Sequence, residues 1–165
     1  SVNTSLVKPS GSISQDLWTR NIKARIDVLH SLGDVTEFHA SFKPSDEEWR
    51  ISEVVSHLLN GPTRVAAIVI SLASGKSEPP SEFDPAYKPT ASPITQLKME
   101  LWRDVINWSS LTQQLPDNPC LNKQAPHPFF GKLNSCAWYL FQRLHDLDHY
   151  QQIKTIKQSP GYPAP

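Results

Sequence analysis

His145 and His149 stand four residues apart in the stretch WYLFQRLHDLDHYQQIKTI, residues 138–156. At that spacing two side chains stack one turn above another on a helix, so the pair of imidazoles can hold one cation from a rigid backbone. Trp138, Phe141 and Leu144 recur at three-residue steps, as do Ile153 and Ile156, and His149 stands four before Ile153. The stretch therefore reads as an amphipathic helix, with both histidines on or beside its apolar stripe. A metal site needs a third protein ligand. His57, one turn past Val54 and beside Leu58, points inward from a second helical segment and is the candidate.

Each histidine also has a plainer reading. Alone, His57 reads as a core histidine whose ring nitrogens are satisfied by neighbours. His145 and His149 together are different, because burying two imidazoles on one stripe costs solvation unless each finds a partner. A shared metal ion supplies both partners; two packed core histidines are the competing account. The HExxH pattern of zinc proteases is absent, since Asp146 follows the first histidine. Asp146 and Asp148 either receive a ring N–H and serve as bases at the site, or are solvated positions on the helix flank. His30 and His39 fall outside the pattern and read as surface residues. His127, before Pro128, reads as a loop-packing residue, and Trp108, Trp138 and Phe141 as core.

The remaining composition narrows the field. The 165 residues suit one domain with a real core. Sixteen basic residues balance sixteen acidic ones, which gives no electrostatic footprint for nucleic acid or an anionic membrane. No apolar run approaches the roughly 20 residues that cross a bilayer. The first residues show neither the basic patch nor the apolar core of a signal peptide, although the chain does not begin with Met. Cys120 and Cys136 lie outside any CxxC arrangement and read as two thiols in a reducing, cytoplasmic setting. Twelve of the fifteen prolines cluster at 79–93, 116–128 and 160–165, where they punctuate elements rather than interrupt them.

Four helical segments would position the histidines. Residues 1–12 read as a loose arm, with Ser12 and Gln15 as a capping box for a first helix that runs to about Leu32 and stops at Gly33. Ile13, Leu17, Ile22, Ile26 and Leu29 mark its buried face. Residues 34–50 form a connection with one short helical turn and Trp49 against the core. The second helix starts at Ser52 as N-cap, buries Val54, Val55, Leu58, Val65, Ile68, Val69 and Leu72, and ends before Gly75. Gly61–Pro62 kinks or splits it. A long loop over 74–91 precedes a third helix, capped by Ser92 with Pro93 in its first turn. That helix carries Ile94, Leu97, Leu101, Val105, Trp108 and Leu111. A second long loop, 116–133, leads to Asn134, the cap of a fourth helix ending near Lys157, and to a Pro-rich tail over 158–165. No alternating strand pattern is visible. An all-α four-helix bundle over residues 13–157, with long connections between helices 2–3 and 3–4, is the economical fold.

Three stretches carry a resemblance: WRISEVVSHL (49–58), HPFFGKL (127–133) and HDLDHYQQI (145–153). In this order they resemble the DinB/YfiT-like superfamily of metal-dependent enzymes, over nearly the whole of residues 13–156. The resemblance implies a four-helix bundle binding one divalent metal, zinc or nickel, through three histidines that match His57, His145 and His149. It also implies homodimers, and a small-molecule substrate in relatives that act as thiol transferases or isomerases with low-molecular-weight thiols. Asp148 stands where many relatives carry a basic residue or histidine, so substrate preference does not carry over. An all-nitrogen ligand set suits Zn, Ni, Cu or Fe and disfavours Mg or Ca. Three imidazoles leave coordination positions open, as catalytic sites do. The expectation is a metal-dependent hydrolase or thiol-dependent transferase, with Arg64 and Arg143 as contributors to a basic pocket in the latter case. A non-catalytic metal-binding or dimerising bundle is the alternative.

Overall fold

A computed structural model of the chain describes residues 13–59, 62–77 and 92–165. The expected arm over 1–12, the Ser12 cap, Gly61 and most of the loop over 74–91 lie outside the described residues, as do the side chains of Ile13, Leu17 and Leu111. The elements in chain order are α1 (Ile13–Ser31), α2 (Glu37–Ala40), α3 (Ile51–Leu59), α4 (Pro62–Ala73), α5 (Ile94–Thr112), β1 (Gln124–His127), β2 (Gly131–Asn134) and α6 (Ser135–Lys157). The protein is mostly helical, with one small two-stranded sheet. Helix α1 packs against α5 and α6, and α3 and α4 each pack against the same two helices. The pair α3–α4 thus shares α5 and α6 with α1 as packing partners.

Pro62 explains why α3 and α4 are two helices rather than one. Its nitrogen carries no proton and cannot continue the hydrogen-bond ladder of α3, but it is suited to the first turn of a new helix. The start of α3 differs from expectation. Ser52 lies inside the helix, its hydroxyl donating to the Ala40 carbonyl at 3.1 Å. Glu53 does the capping, accepting from the Arg50 amide at 3.1 Å. At α5 the first helical acceptor is the Pro93 carbonyl, bonded to the Leu97 amide, and Glu37 accepts from the Thr95 amide and hydroxyl. Asn134 caps α6 as expected, its side chain accepting from the Ala137 amide at 3.0 Å.

The long connection before α6 folds into an antiparallel hairpin, with Gln124 facing Asn134 and His127 facing Gly131. Four-residue strands are too short to print an alternating pattern, and Pro126 within β1 argues against a strand. It is tolerated because the sheet has only two strands, both of them edges. Gly131 takes a φ of 74°, which the turn requires and other residues resist. The hairpin is tied to α6 by Trp138, whose indole donates to the Ala125 carbonyl at 3.1 Å.

The stripe that α1 buries is turned from the expected one. Asn21, Ala24, Arg25, Val28 and Leu32 are buried, while Ile22, Ile26 and Leu29 are only half-buried. On α6, Trp138, Ile153 and Ile156 are buried as expected, but Leu144 is exposed and Phe141 half-buried. Two apolar clusters result. One gathers Leu32, Val54, Leu58, Leu101 and Ile153; the other gathers Ile68, Leu72, Trp108, Trp138 and Tyr139. Between them in sequence order come Asp104 on α5 and Gln142 and Asp146 on α6, and the buried polar side chains Asn21 and Arg25 reach this level from α1. The candidate site lies at this level.

Candidate metal centre

His57 is in the last turn of the nine-residue α3, and His145 and His149 are near the middle of α6. The structure brings all three together. One ring nitrogen from each lies within 4.8 Å of the others. The ring centroids are 5.0 Å apart for His57–His145, 4.7 Å for His57–His149 and 4.6 Å for His145–His149. All three side chains are half-buried, so the group is reachable from solvent.

Hydrogen bonds indicate which nitrogens face inward. The Nε2 atoms of His57 and His145 are 3.1 Å apart. His149 Nδ1 pairs with the Gln152 carbonyl oxygen at 2.8 Å, so Nδ1 carries the proton and Nε2 carries the lone pair. Ligand nitrogens about 2.05 Å from a tetrahedral zinc ion are roughly 3.3 Å from one another. The His57–His145 spacing is already close to that value, and the 4.8 Å bound on the group limits how far His149 must move to join them. These three histidines form a group able to hold one metal ion.

Electrostatics keep the donors ready. Burial, reinforced by His145 and His149, lowers the His57 pKa to about 4. Burial also lowers that of His149, with His145 adding to the effect and the Gln152 hydrogen bond opposing it. Both imidazoles are therefore neutral at pH 7, the protonation state a metal ligand requires. Trp49 packs over the group, its ring 5.3 Å from His57 and nearly parallel to His149 at 6.5 Å. A cleft of about 390 Å³ opens beside His149, bordered by Trp49 and Gln152 and by the carboxylates Glu47 and Glu48. No Lys or Arg borders it among the described residues.

The two aspartates separate. Asp148 is exposed, as a flank residue should be. Asp146 is only 1% exposed, against the solvated reading. Its Oδ1 accepts from Gln142 at 3.0 Å and lies 3.9 Å from His145 Nδ1, and its Oδ2 faces Arg25 Nε at 3.6 Å. Enclosed in this way it can orient its neighbours, but it is poorly placed to take a proton from substrate. Arg64 is exposed on α4 and Arg143 half-buried on α6.

Four other expectations resolve here. His30 is exposed, as read. His39 is not a surface residue: it is 6% exposed, held by Thr36 and by the Ala164 carbonyl 3.0 Å from its Nε2. His127 packs among Phe130, Trp138 and Phe141, and its Nδ1 accepts from the Phe129 amide. Cys120 and Cys136 are free thiols.

Arg25, Trp49 and Gln152 were not legible as neighbours of the site. Arg25 offered one signal. It lies four residues after Asn21 and three before Val28, so a helix that buries Val28 must bury a charge with it.

No family model matches the chain. It is similar to the uncharacterized protein YuaE of Bacillus subtilis strain 168, at 24% identity over a 155-residue alignment that covers 82% of this chain and 94% of YuaE. The similarity spans nearly all of that protein and attaches no activity to either chain. No helix among the described residues is long and apolar enough to cross a membrane.

Proposed function

We propose that the protein is a metal-dependent enzyme of the DinB/YfiT-like kind, a four-helix bundle in which His57, His145 and His149 hold one divalent ion, zinc or nickel. The observation that carries this reading is the convergence of three imidazoles from two helices onto one point, half-buried beside an open cleft. A divalent ion bound there would supply Lewis acidity, activating water or a thiol as a nucleophile near neutral pH. The protein's own residues would do the rest. Gln152 fixes the His149 ring, Trp49 shields one side of the triad, and the cleft admits a small substrate.

Between hydrolysis and thiol transfer, the cleft favours hydrolysis. The carboxylates Glu47 and Glu48 repel an acidic low-molecular-weight thiol, and the described lining brings no cation to offset them. A neutral or cationic substrate suits this border better.

The deciding experiment is elemental analysis of untagged protein beside His57→Ala and His145→Ala. About one equivalent of Zn or Ni in the parent, lost in both variants, is expected. No metal after incubation with either ion would overturn the reading. The loaded protein is then screened against neutral and cationic esters and amides, with the thiol reaction run in parallel; turnover in the thiol arm alone would overturn the preference for hydrolysis.

A further inference from the structure

Arg25 is 1% exposed and reaches from α1 to all three other sides of the bundle. Its Nη1 donates to Asp104 of α5 at 2.8 Å, its Nη2 donates to the Leu58 carbonyl of α3 at 3.0 Å, and its Nε faces Asp146 of α6 at 3.6 Å. Two of these contacts fall on the residues that directly follow metal-site histidines: Leu58 follows His57, and Asp146 follows His145. We propose that Arg25 is a positioning residue for the metal centre, a buried clamp that holds α3 and α6 at the separation in which His57 and His145 can share one ion. The inference rests on the metal-binding reading above.

The chemistry of the contacts supports this role. The Leu58 carbonyl belongs to the last turn of α3, where backbone acceptors have no partner within the helix and the dipole is negative. A guanidinium satisfies that acceptor and a carboxylate together because its donors are fixed in a planar fork. A lysine ammonium on the same stem is a single point and cannot span both. The separation matters because metal–nitrogen distances tolerate only about 0.2 Å. The α3 side of the chain is also interrupted just after His57, at Pro62, so the position of His57 depends on lateral ties of this kind. Asp146 adds a second link, since its Oδ1 is the carboxylate oxygen beside His145 Nδ1.

A purely structural role is the competing account, because any buried charge pair disturbs a core when broken. Asp104 separates the two. It shares the Arg25 ion pair but sits on α5, which carries no ligand. Cobalt(II) affinity and visible spectra would be measured on the full chain for the parent, Arg25→Lys, Asp104→Asn and His57→Ala. Arg25→Lys is expected to bind cobalt about tenfold or more weakly with an altered spectrum, as supporting residues around metal ligands commonly show. Asp104→Asn should melt earlier yet keep its affinity within about threefold. If Arg25→Lys does not fold, the Arg25→Met/Asp104→Leu pair replaces the charges with apolar bulk and carries the same expectation. Parental affinity and spectrum in the Arg25 variant, or an equal loss in Asp104→Asn, would overturn the clamp and leave the metal site standing. A parent that binds no cobalt, as His57→Ala should not, would overturn both.

Discussion

The Nε2 atoms of His57 and His145 meet at 3.1 Å although 88 residues of chain separate them. Two lone pairs facing each other at that distance would repel, so in the metal-free protein one Nε2 carries a proton and donates it to the other. A shared ion would replace that proton and take both lone pairs. Burial is the main reason His57 and His149 disfavour positive charge, and a proton placed on the second Nε2 would in addition set two N–H groups against each other.

The first prediction concerns pH. In the metal-free protein, NMR titration of ring protons should place His57 near pH 4, with His149 below the ordinary value of 6.5. The sign for stability follows. Unfolded histidines take up protons as the pH falls through 6.5, while the folded ones resist, so protonation favours the unfolded chain. The stabilisation is complete above pH 6.5 and is lost progressively down to about 4. Denaturant midpoints measured at pH 7.5, 6 and 5 should decrease in that order. A flat series, or a His57 titration near 6.5, would contradict the environment described here.

A second prediction tests the orientation of His149. The Gln152 carbonyl holds Nδ1–H and so aims Nε2 at the site. Gln152→Leu should weaken zinc binding about tenfold, the loss common when such a partner is removed. Gln152→Glu should restore or exceed parental affinity, because a carboxylate accepts the same proton more strongly. Competition with a chromogenic chelator gives both values. Equal affinity in all three proteins would show that the ring needs no such guide.

Trp49 provides an optical readout. Its indole lies 5.3 Å from the His57 ring and 6.5 Å from that of His149. Nickel or copper bound by the triad should therefore quench part of the tryptophan emission. Trp49→Phe should lower the total emission and abolish most of the metal-dependent change, since Trp108 and Trp138 lie in the other apolar cluster and Trp18 and Trp102 are on α1 and α5, which carry no ligand. Quenching that survives Trp49→Phe would place the ion elsewhere.

Much of the helical frame was legible because its signals are local. Asn134 announced the start of α6, Pro62 marked the break after α3, and His57, His145 and His149 were inward by spacing alone. What escaped depends on tertiary partners. The apolar positions Ile22, Ile26 and Leu29 suggested one face of α1, but Asn21 and Arg25 are buried instead, because Asp104, Leu58, Asp146 and the Tyr139 carbonyl await them. Leu144 looked inward by periodicity and is exposed. The hairpin was hidden by its shortness and by Pro126. His39 looked like a surface residue because its partner, Ala164, lies 125 positions away.

That last contact yields the final prediction. Thr36 and His39 form a reciprocal cap at the start of α2, with His39 Nδ1 accepting from the Thr36 amide at 3.2 Å. With Nδ1 an acceptor, Nε2 carries the proton and donates to the Ala164 carbonyl. Tyr162 stacks on the same ring at 5.3 Å and meets Phe42 edge-on. The C-terminal residues are thus fastened to α2 through one imidazole. Losing a cap costs about 1 kcal/mol, and losing an aromatic pair a similar amount. His39→Ala should therefore destabilise the protein by about 2 kcal/mol, or roughly 4–8 °C in Tm for a chain of this size. Tyr162→Ala should reproduce about half of that loss. Zinc affinity should be unchanged in both, because His39 and Tyr162 take no part in the histidine triad. A His39→Ala protein as stable as the parent would show that the tail docks without holding anything in place.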